Sequence, residues 1–200
     1  LTIRAMRQLR RLTDTPSEHL LLDAALSHLR VTNGAEIPLV IGYLSAAREA
    51  FERLTGRALL AQTYDLAIPE WPKDGLVSLS RSPVTSITSV KYYDDADADQ
   101  TLASSNYLLH TPEDAAAVLT FRSTFSAPSI IERHDAVRIT FAAGNAAWSS
   151  VPYTQRQAIL FLAAHFYELR TPINVGNIVN DIPMTLTNLV TLNRIGGFIA

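Results

Sequence analysis

Residues 54–64 read Leu-Thr-Gly-Arg-Ala-Leu-Leu-Ala-Gln-Thr-Tyr, and the pattern of the chain changes within this stretch. The apolar residues before it recur at spacings of three, four and seven, as on one face of a helix. They are Ile37, Val40, Ile41, Leu44, Phe51 and Leu54, with Arg48, Glu49, Glu52 and Arg53 on the other side. Gly56 is a typical residue just beyond a helix C-terminus. The stretch therefore predicts the end of a long helix and the start of a first strand at Gln62.

The middle of the chain has the pattern of an antiparallel β module. Short segments rich in β-branched and aromatic residues alternate there with clusters of Pro, Gly, Asp and Ser, which is typical of strands joined by turns. The six predicted strands are Gln62–Ile68, Val77–Leu79, Ser86–Tyr93, Tyr107–His110, Ala117–Phe121 and Val137–Ala142.

Helical patterns lie on both sides of this module. Thr15-Pro16-Ser17-Glu18 has the form of a capping box with Pro at the first helical position, so a first helix should run to about Arg30. A third helix is predicted from about Val151 to Leu169, and a fourth from about Pro183 to Asn193. The prediction is an α+β fold: a four-helix bundle with the β module inserted between its second and third helices.

This fold predicts three consecutive parts of the chain. Residues 1–61 hold a basic N-terminal segment and the first two helices. Residues 62–150 hold the β module, and residues 151–200 hold the last two helices and a C-terminal tail.

Composition excludes several classes of function. The 200 residues are 48% hydrophobic and contain no cysteine, which excludes disulfides and thiolate metal sites. The net charge of −2 gives no general case for nucleic-acid binding, which usually needs a clear basic excess. No apolar run approaches the roughly 18 residues of a membrane span, so no membrane partner is expected.

The sequence contains no recognisable set of catalytic, cofactor-binding or metal-ligating residues, so we expect a protein that is not an enzyme. His165 and Glu168 have a spacing found in di-metal carboxylate bundles, but those bundles need the motif twice and here it occurs once. An uncharacterised hydrolase using these two residues, or the acidic segment described next, is the weakest alternative.

The strongest local signal is acidic. Residues 94–99 read Asp-Asp-Ala-Asp-Ala-Asp, which from Asp95 onward places carboxylates at positions 1, 3 and 5 of a calcium loop. Gln100 and Asn106 stand where that loop needs Gly and a bidentate Glu. The segment is therefore interpreted as a solvated hairpin tip, which could also repel DNA or dock a basic partner.

The N-terminal segment is basic and is interpreted as helical over residues 1–14. Arg4, Arg7, Arg10 and Arg11 either lie on a solvated or interface helix or form an arm that contacts DNA phosphates or a partner. No aromatic residue alternates with them, so base stacking is not indicated.

Several segments, taken in order, resemble one known family. They are Ser27–Val31, Ser45–Ala50, Leu54–Tyr64, Ser82–Tyr92, Ile139–Gly144, Val151-Pro152, Arg156–Leu160, His165–Arg170 and Ile182–Met184. Together they are similar to the head–tail connector, or adaptor, family of tailed phages and gene transfer agents, in the version with a β insertion. The resemblance covers about residues 20–195, and the basic segment before residue 14 has no match in it.

The resemblance implies a ring, commonly of twelve copies, between the portal protein and a tail-side stopper or tail terminator. DNA passes through the lumen without sequence-specific binding, and no catalysis or cofactor is implied. The protein would act at the head–tail interface of a virion or gene transfer agent particle assembled in the bacterial cytoplasm. Asn174–Ala200 would reach the portal, with the apolar tail residues Ile195, Phe198 and Ile199 as candidate contacts. The alternative is a DNA-binding packaging or regulatory factor that uses the N-terminal arginines.

Overall fold

A computed structural model describes residues 7–13, 21–112, 115–169 and 184–196, which form a mixed α+β structure with antiparallel sheets. The helices are α1 (Leu22–Leu29), α2 (Ile37–Thr55), α3 (Tyr153–Glu168) and α4 (Met184–Asn193). The strands are β1 (Gln8–Thr13), β2 (Gln62–Ile68), β3 (Leu76–Leu79), β4 (Val84–Tyr93), β5 (Asp99–Leu102), β6 (Tyr107–His110), β7 (Ala117–Phe121) and β8 (Val137–Ala143). None of these helices is both long and apolar enough to cross a membrane.

The chain divides into two compact units. One comprises Leu1–Thr15 and Ala61–Asn145 and contains all eight described strands, so we call it the β unit. The other comprises Pro16–Leu60 and Ala146–Ala200 and contains the four described helices, so we call it the helical unit.

The core of the helical unit forms where α2 meets α3. Val40, Leu44 and Phe51 on α2 are fully buried, and they join a cluster that includes Ile159 and Leu162 of α3. Burial of side chains of this size stabilises a fold by about 1.5–3 kcal/mol each. Gly56 ends α2 in the left-handed conformation with φ 77°, and its N–H donates to the Glu52 carbonyl. The predicted end of this helix is therefore confirmed.

The β unit is built on a five-stranded sheet in the order β1-β2-β8-β4-β5, with every neighbouring pair antiparallel. Rows of paired residues cross all five strands, and alternate rows point to opposite faces. One apolar row consists of Leu9, Leu66, Ile139, Val90 and Leu102. The next row is mostly polar and consists of Gln8, Ala67, Arg138, Lys91 and Thr101. One face of the sheet is thus apolar and the other mostly polar.

A second sheet, in the order β3-β7-β6, completes this unit. An aromatic cluster joins the two sheets, because the ring of Trp71 lies 5.6 Å from that of Tyr92 on β4 and 5.4 Å from that of Phe121 on β7. The Trp71 indole N–H donates to the Pro128 carbonyl at 3.0 Å, so its polar atom is satisfied within the cluster.

All six predicted strands are present, but two further strands were not predicted. Residues 8–13 form β1 at the sheet edge, so the interpretation of residues 1–14 as helical is wrong for them. Pairing with β2 through Leu9 and Leu66 explains the strand, because it gives one β1 side chain a place in an apolar row. The second addition is β5, which pairs with β4. The predicted capping box at Thr15–Glu18 lies outside the described residues.

Candidate functional site

The segment that follows α4 is fixed to the end of α2. The Ile195 N–H donates to the Thr55 carbonyl at 3.0 Å, and the Arg57 Nε donates to the Asn193 carbonyl at 2.7 Å. Ile195, one of the three apolar tail residues expected to contact the portal, is 2% exposed and is therefore buried within the helical unit. It anchors the start of the C-terminal tail inside the helical unit. Phe198 and Ile199, the other candidate portal contacts, lie outside the described residues.

Two large side chains are exposed beside this anchor. Tyr153 at the start of α3 is 77% exposed, and Leu192 near the end of α4 is 79% exposed. A hydrogen bond between the hydroxyl of Thr154 and Oδ1 of Asn193, at 3.4 Å, brings these two helix ends together. Arg156 stacks 4.0 Å above the Tyr153 ring. The exposed Tyr153 and Leu192, with the half-buried Arg156 against the Tyr153 ring, form a surface at one end of the helical unit that is suited to a partner protein.

The N-terminal arginines that the structure describes lie in or next to the edge strand β1. Arg7, Arg10 and Arg11 are exposed, and Arg4 lies outside the described residues. The side chain of Arg10 is 68% exposed, and its Nη2 lies 3.8 Å from Oδ2 of Asp65. The arginines are therefore held on a sheet edge, where the sequence had predicted a helix or an arm.

Asp65 connects this edge to the polar face of the sheet. Its carboxylate is buried and accepts hydrogen bonds from Arg138 Nη2 at 2.6 Å and from the Thr140 hydroxyl at 3.3 Å. The hydrogen bond to Asp65 raises the pKa of the Arg138 guanidinium above its usual value. These hydrogen bonds replace the water that the Asp65 carboxylate loses on burial. We therefore assign Asp65 a structural role.

The acidic segment forms a hairpin turn, as predicted, and it joins β4 to β5, the strand that was not predicted. Oδ1 of Asp94 accepts from the backbone N–H groups of Ala96 and Ala98 at 3.0 Å, and Oδ2 accepts from the Gln100 side chain at 2.8 Å. These bonds, led by that from Ala98, lower the pKa of the Asp94 carboxyl. The Asp94 carboxylate thus shapes the turn.

Arg133 ties this turn to the segment before β8. Its guanidinium lies 3.9 Å above the Tyr93 ring, 2.7 Å from Oδ1 of Asp97 and 2.6 Å from Oδ1 of Asp135. The hydrogen bond from Arg133 lowers the pKa of the Asp135 carboxyl. Within the described parts of the chain, no three His, Asp or Glu side chains are grouped to hold a metal ion.

The remaining predicted candidates do not form a site together. His165 is half-buried on α3 with its ring 6.3 Å from that of Phe166, and Glu168 is exposed at the end of the same helix. The sequence did not predict the surface formed by the exposed Tyr153 and Leu192. These residues lie on two different helices, and which helix ends come together depends on tertiary packing.

The chain is similar over nearly its whole length to chains in solved structures. No family model matches the sequence, and no curated protein sequence matches it either. Several solved structures contain similar chains, including three of gene transfer agent particles. One is the neck of an empty gene transfer agent particle computed with C6 symmetry, at 28% identity, a TM-score of 0.77 and coverage of 94% of this chain and 95% of that chain. The virion of a native gene transfer agent particle gives 28% identity, a TM-score of 0.78 and coverage of 96% and 100%. The neck of a native particle computed with C12 symmetry gives 26% identity, a TM-score of 0.74 and coverage of 94% and 95%.

Fold and comparisons together define the class: the chain is a structural component of a phage-like particle. The resemblance predicted from the sequence is confirmed: the chain is similar in sequence and fold to chains in the neck and virion of gene transfer agent particles.

Proposed function

We propose that this protein is a head–tail connector, or adaptor, subunit that forms a ring of twelve copies between the portal and a tail-side stopper or tail terminator. The observation that supports this most is the likeness of nearly the whole chain to neck chains in particles computed with C6 and C12 symmetry. In this role the helices act as the connector-type bundle, and the β unit is its inserted module. The particle is assembled in the bacterial cytoplasm.

The ring's role is mechanical, with no enzymatic step and no cofactor. DNA passes through its lumen, and a net charge of −2 suits such a channel because contacts to phosphates create nonspecific affinity. A subunit that held DNA tightly would slow both packaging and ejection.

The portal contact in this proposal begins after the anchored Ile195. Phe198 and Ile199 would bind the portal, and the exposed Tyr153 and Leu192 beside the anchor would enlarge the contact.

The test is assembly on the portal. Purified protein mixed with its portal, examined by native mass spectrometry and electron microscopy, should give a closed ring of twelve copies stacked on the portal. Monomers in the presence of portal would reject the proposal, whereas monomers without portal would not, because the portal can act as a template.

The exposure of Arg7, Arg10 and Arg11 supports the second candidate, a DNA-binding packaging or regulatory factor. Salt-sensitive binding of duplex DNA, together with no ring on the portal, would favour it.

A further inference from the structure

The two edges of the five-stranded sheet carry opposite charges. Residues 7–13, which include edge strand β1, contain three arginines and no acidic residue. Residues 94–102, which include the turn and the opposite edge strand β5, contain four aspartates and no basic residue. We call these the basic edge and the acidic edge.

Internal ion pairs leave charge on both edges. Lys91 Nζ lies 2.7 Å from Asp99, and Arg133 lies 2.7 Å from Asp97, so two cations face four carboxylates at the acidic edge. Asp97 and Asp99 still expose 59% and 45% of their side chains. On the basic edge, Asp65 faces Arg10 at 3.8 Å but is shared with Arg138 at 2.6 Å.

One arginine of the basic edge also lies at the same end of the sheet as the aspartates. Gln8 of β1 and Thr101 of β5 belong to one row across all five strands. Arg7 lies one residue before this row and Asp99 two residues before it, whereas Arg10 and Arg11 lie two and three residues after it. Because strands alternate in direction and there are five, β1 and β5 run the same way. A neighbouring copy related by a small rotation would therefore place its basic edge alongside this acidic edge, with Arg7 level with the start of β5.

Charge of one sign on both edges would keep every copy apart. Opposite charges instead disfavour twofold contacts, in which basic would meet basic and acidic would meet acidic, and favour head-to-tail contacts. Head-to-tail contacts repeated by a rotation that closes generate rings. The charge pattern thus selects the type of contact that a ring requires.

We propose that in the ring the basic edge of each copy contacts the acidic edge of the next copy, with Arg7 facing Asp95, Asp97 and Asp99. The occupant of each edge is a second copy of this chain. The inference rests on the proposed ring function and adds to it the two surfaces that meet.

Cysteine trapping tests the contact directly, since the natural chain has no cysteine. Gln8→Cys and Thr101→Cys each replace an exposed residue. In portal-bound rings the double variant, oxidised or treated with a short bis-maleimide, should give a ladder of covalent multimers. A mixture of the two single variants should stop at dimers, and each single variant alone should stay monomeric. Pairing Thr101→Cys with Glu49→Cys on α2 provides the control, which should give no ladder.

A charge exchange provides the second test. Arg7→Glu alone and Asp95→Lys alone should each reduce ring formation on the portal about tenfold. The double variant, with both substitutions in the same chain, should form rings to within about threefold of the unaltered protein. Glu49→Lys makes the same charge change on an exposed helix position and should leave the ring unchanged.

The outcomes separate this inference from the function. Rings that form on the portal but give no ladder with either reagent, or that ignore the charge reversals, overturn the inference and leave the ring intact. Covalent dimers from one single variant alone would show a twofold contact and also overturn it. If the unaltered protein forms no ring on the portal, the proposed function fails as well.

Discussion

Glu52 shows how one buried carboxylate fixes the path of the chain after α2. Its Oε1 accepts from the Leu59 N–H at 3.0 Å, and its Oε2 lies 3.3 Å from Nη1 of Arg48. Both charged side chains are almost completely buried. The carboxylate therefore holds the segment that leaves α2 against the helix it has just left.

We predict that Glu52→Ala lowers the free energy of unfolding of the helical unit by about 3 kcal/mol, because it leaves the buried Arg48 without this carboxylate. Glu52→Gln keeps an acceptor for Leu59 and should cost about half as much. The measurement is urea unfolding followed by fluorescence in a Trp71→Phe background, where Trp148, packed against the helical core, is the reporter. A cost below about 1 kcal/mol for Glu52→Ala would contradict this account.

At the residue scale the sequence predicted the apolar positions of α2 but not the burial of its charged side chains. Periodicity places Arg48 and Glu52 opposite the apolar face, yet both are buried. Periodicity describes one helix, whereas burial depends on everything that packs around it. Ile195 shows the reverse case: it resembled an exposed tail residue because the sequence does not show that its backbone bonds to Thr55.

At the element scale the two missed strands have a common cause. β1 reads Gln-Leu-Arg-Arg-Leu-Thr and β5 reads Asp-Gln-Thr-Leu. Each has a single β-branched residue, a threonine, and no aromatic residue, which is too little for strand prediction. Both are edge strands that form because a central strand offers them hydrogen bonds. The central strands β2 and β8 bury apolar residues, and for them the local sequence was sufficient.

Two glycines of the α2 region should respond in opposite ways to the same substitution. Gly56→Ala should destabilise the helical unit by about 1 kcal/mol, because Gly56 adopts φ 77° and a Cβ is unfavourable there. Gly42→Ala should stabilise it by about 0.5–1 kcal/mol, because Gly42 lies inside the helix and no atom is within 4 Å of its added Cβ. Thermal unfolding followed by circular dichroism measures both. The same sign for the two variants would refute the assignment of Gly56 as the helix end.

At the scale of the whole molecule, the order of helices and strands, together with the segments that resemble the connector family, was enough to predict the similarity to gene transfer agent particle chains. The interaction surfaces were only partly predictable. The sequence singled out the basic and acidic segments, but their positions on opposite edges of one sheet follow from the strand order β1-β2-β8-β4-β5. Strand order depends on pairings between distant residues, which a single sequence does not show.

Removal of residues 197–200 should separate portal binding from folding. We expect affinity for the portal to fall about tenfold with an unchanged melting temperature, because Ile195 and Gly196 keep the anchor to the end of α2. Ile195→Ala in the full chain is the matched variant and should instead lower stability by about 2–4 kcal/mol, because Ile195 is buried. Binding by surface plasmon resonance and melting by calorimetry distinguish the two. Unchanged portal affinity after the truncation would reject a portal role for Phe198 and Ile199.

The pairing of β1 with β2 also imposes an order on synthesis. β1 is near the start of this chain, but the residues that pair with it, such as Leu66, follow only after α1 and α2. At about 5–20 residues per second, translation leaves β1 without its neighbour for several seconds. During that time the positive charge of its arginines would disfavour pairing of this strand with the same strand of another nascent chain. The same charge would therefore act during synthesis as well as in the folded protein.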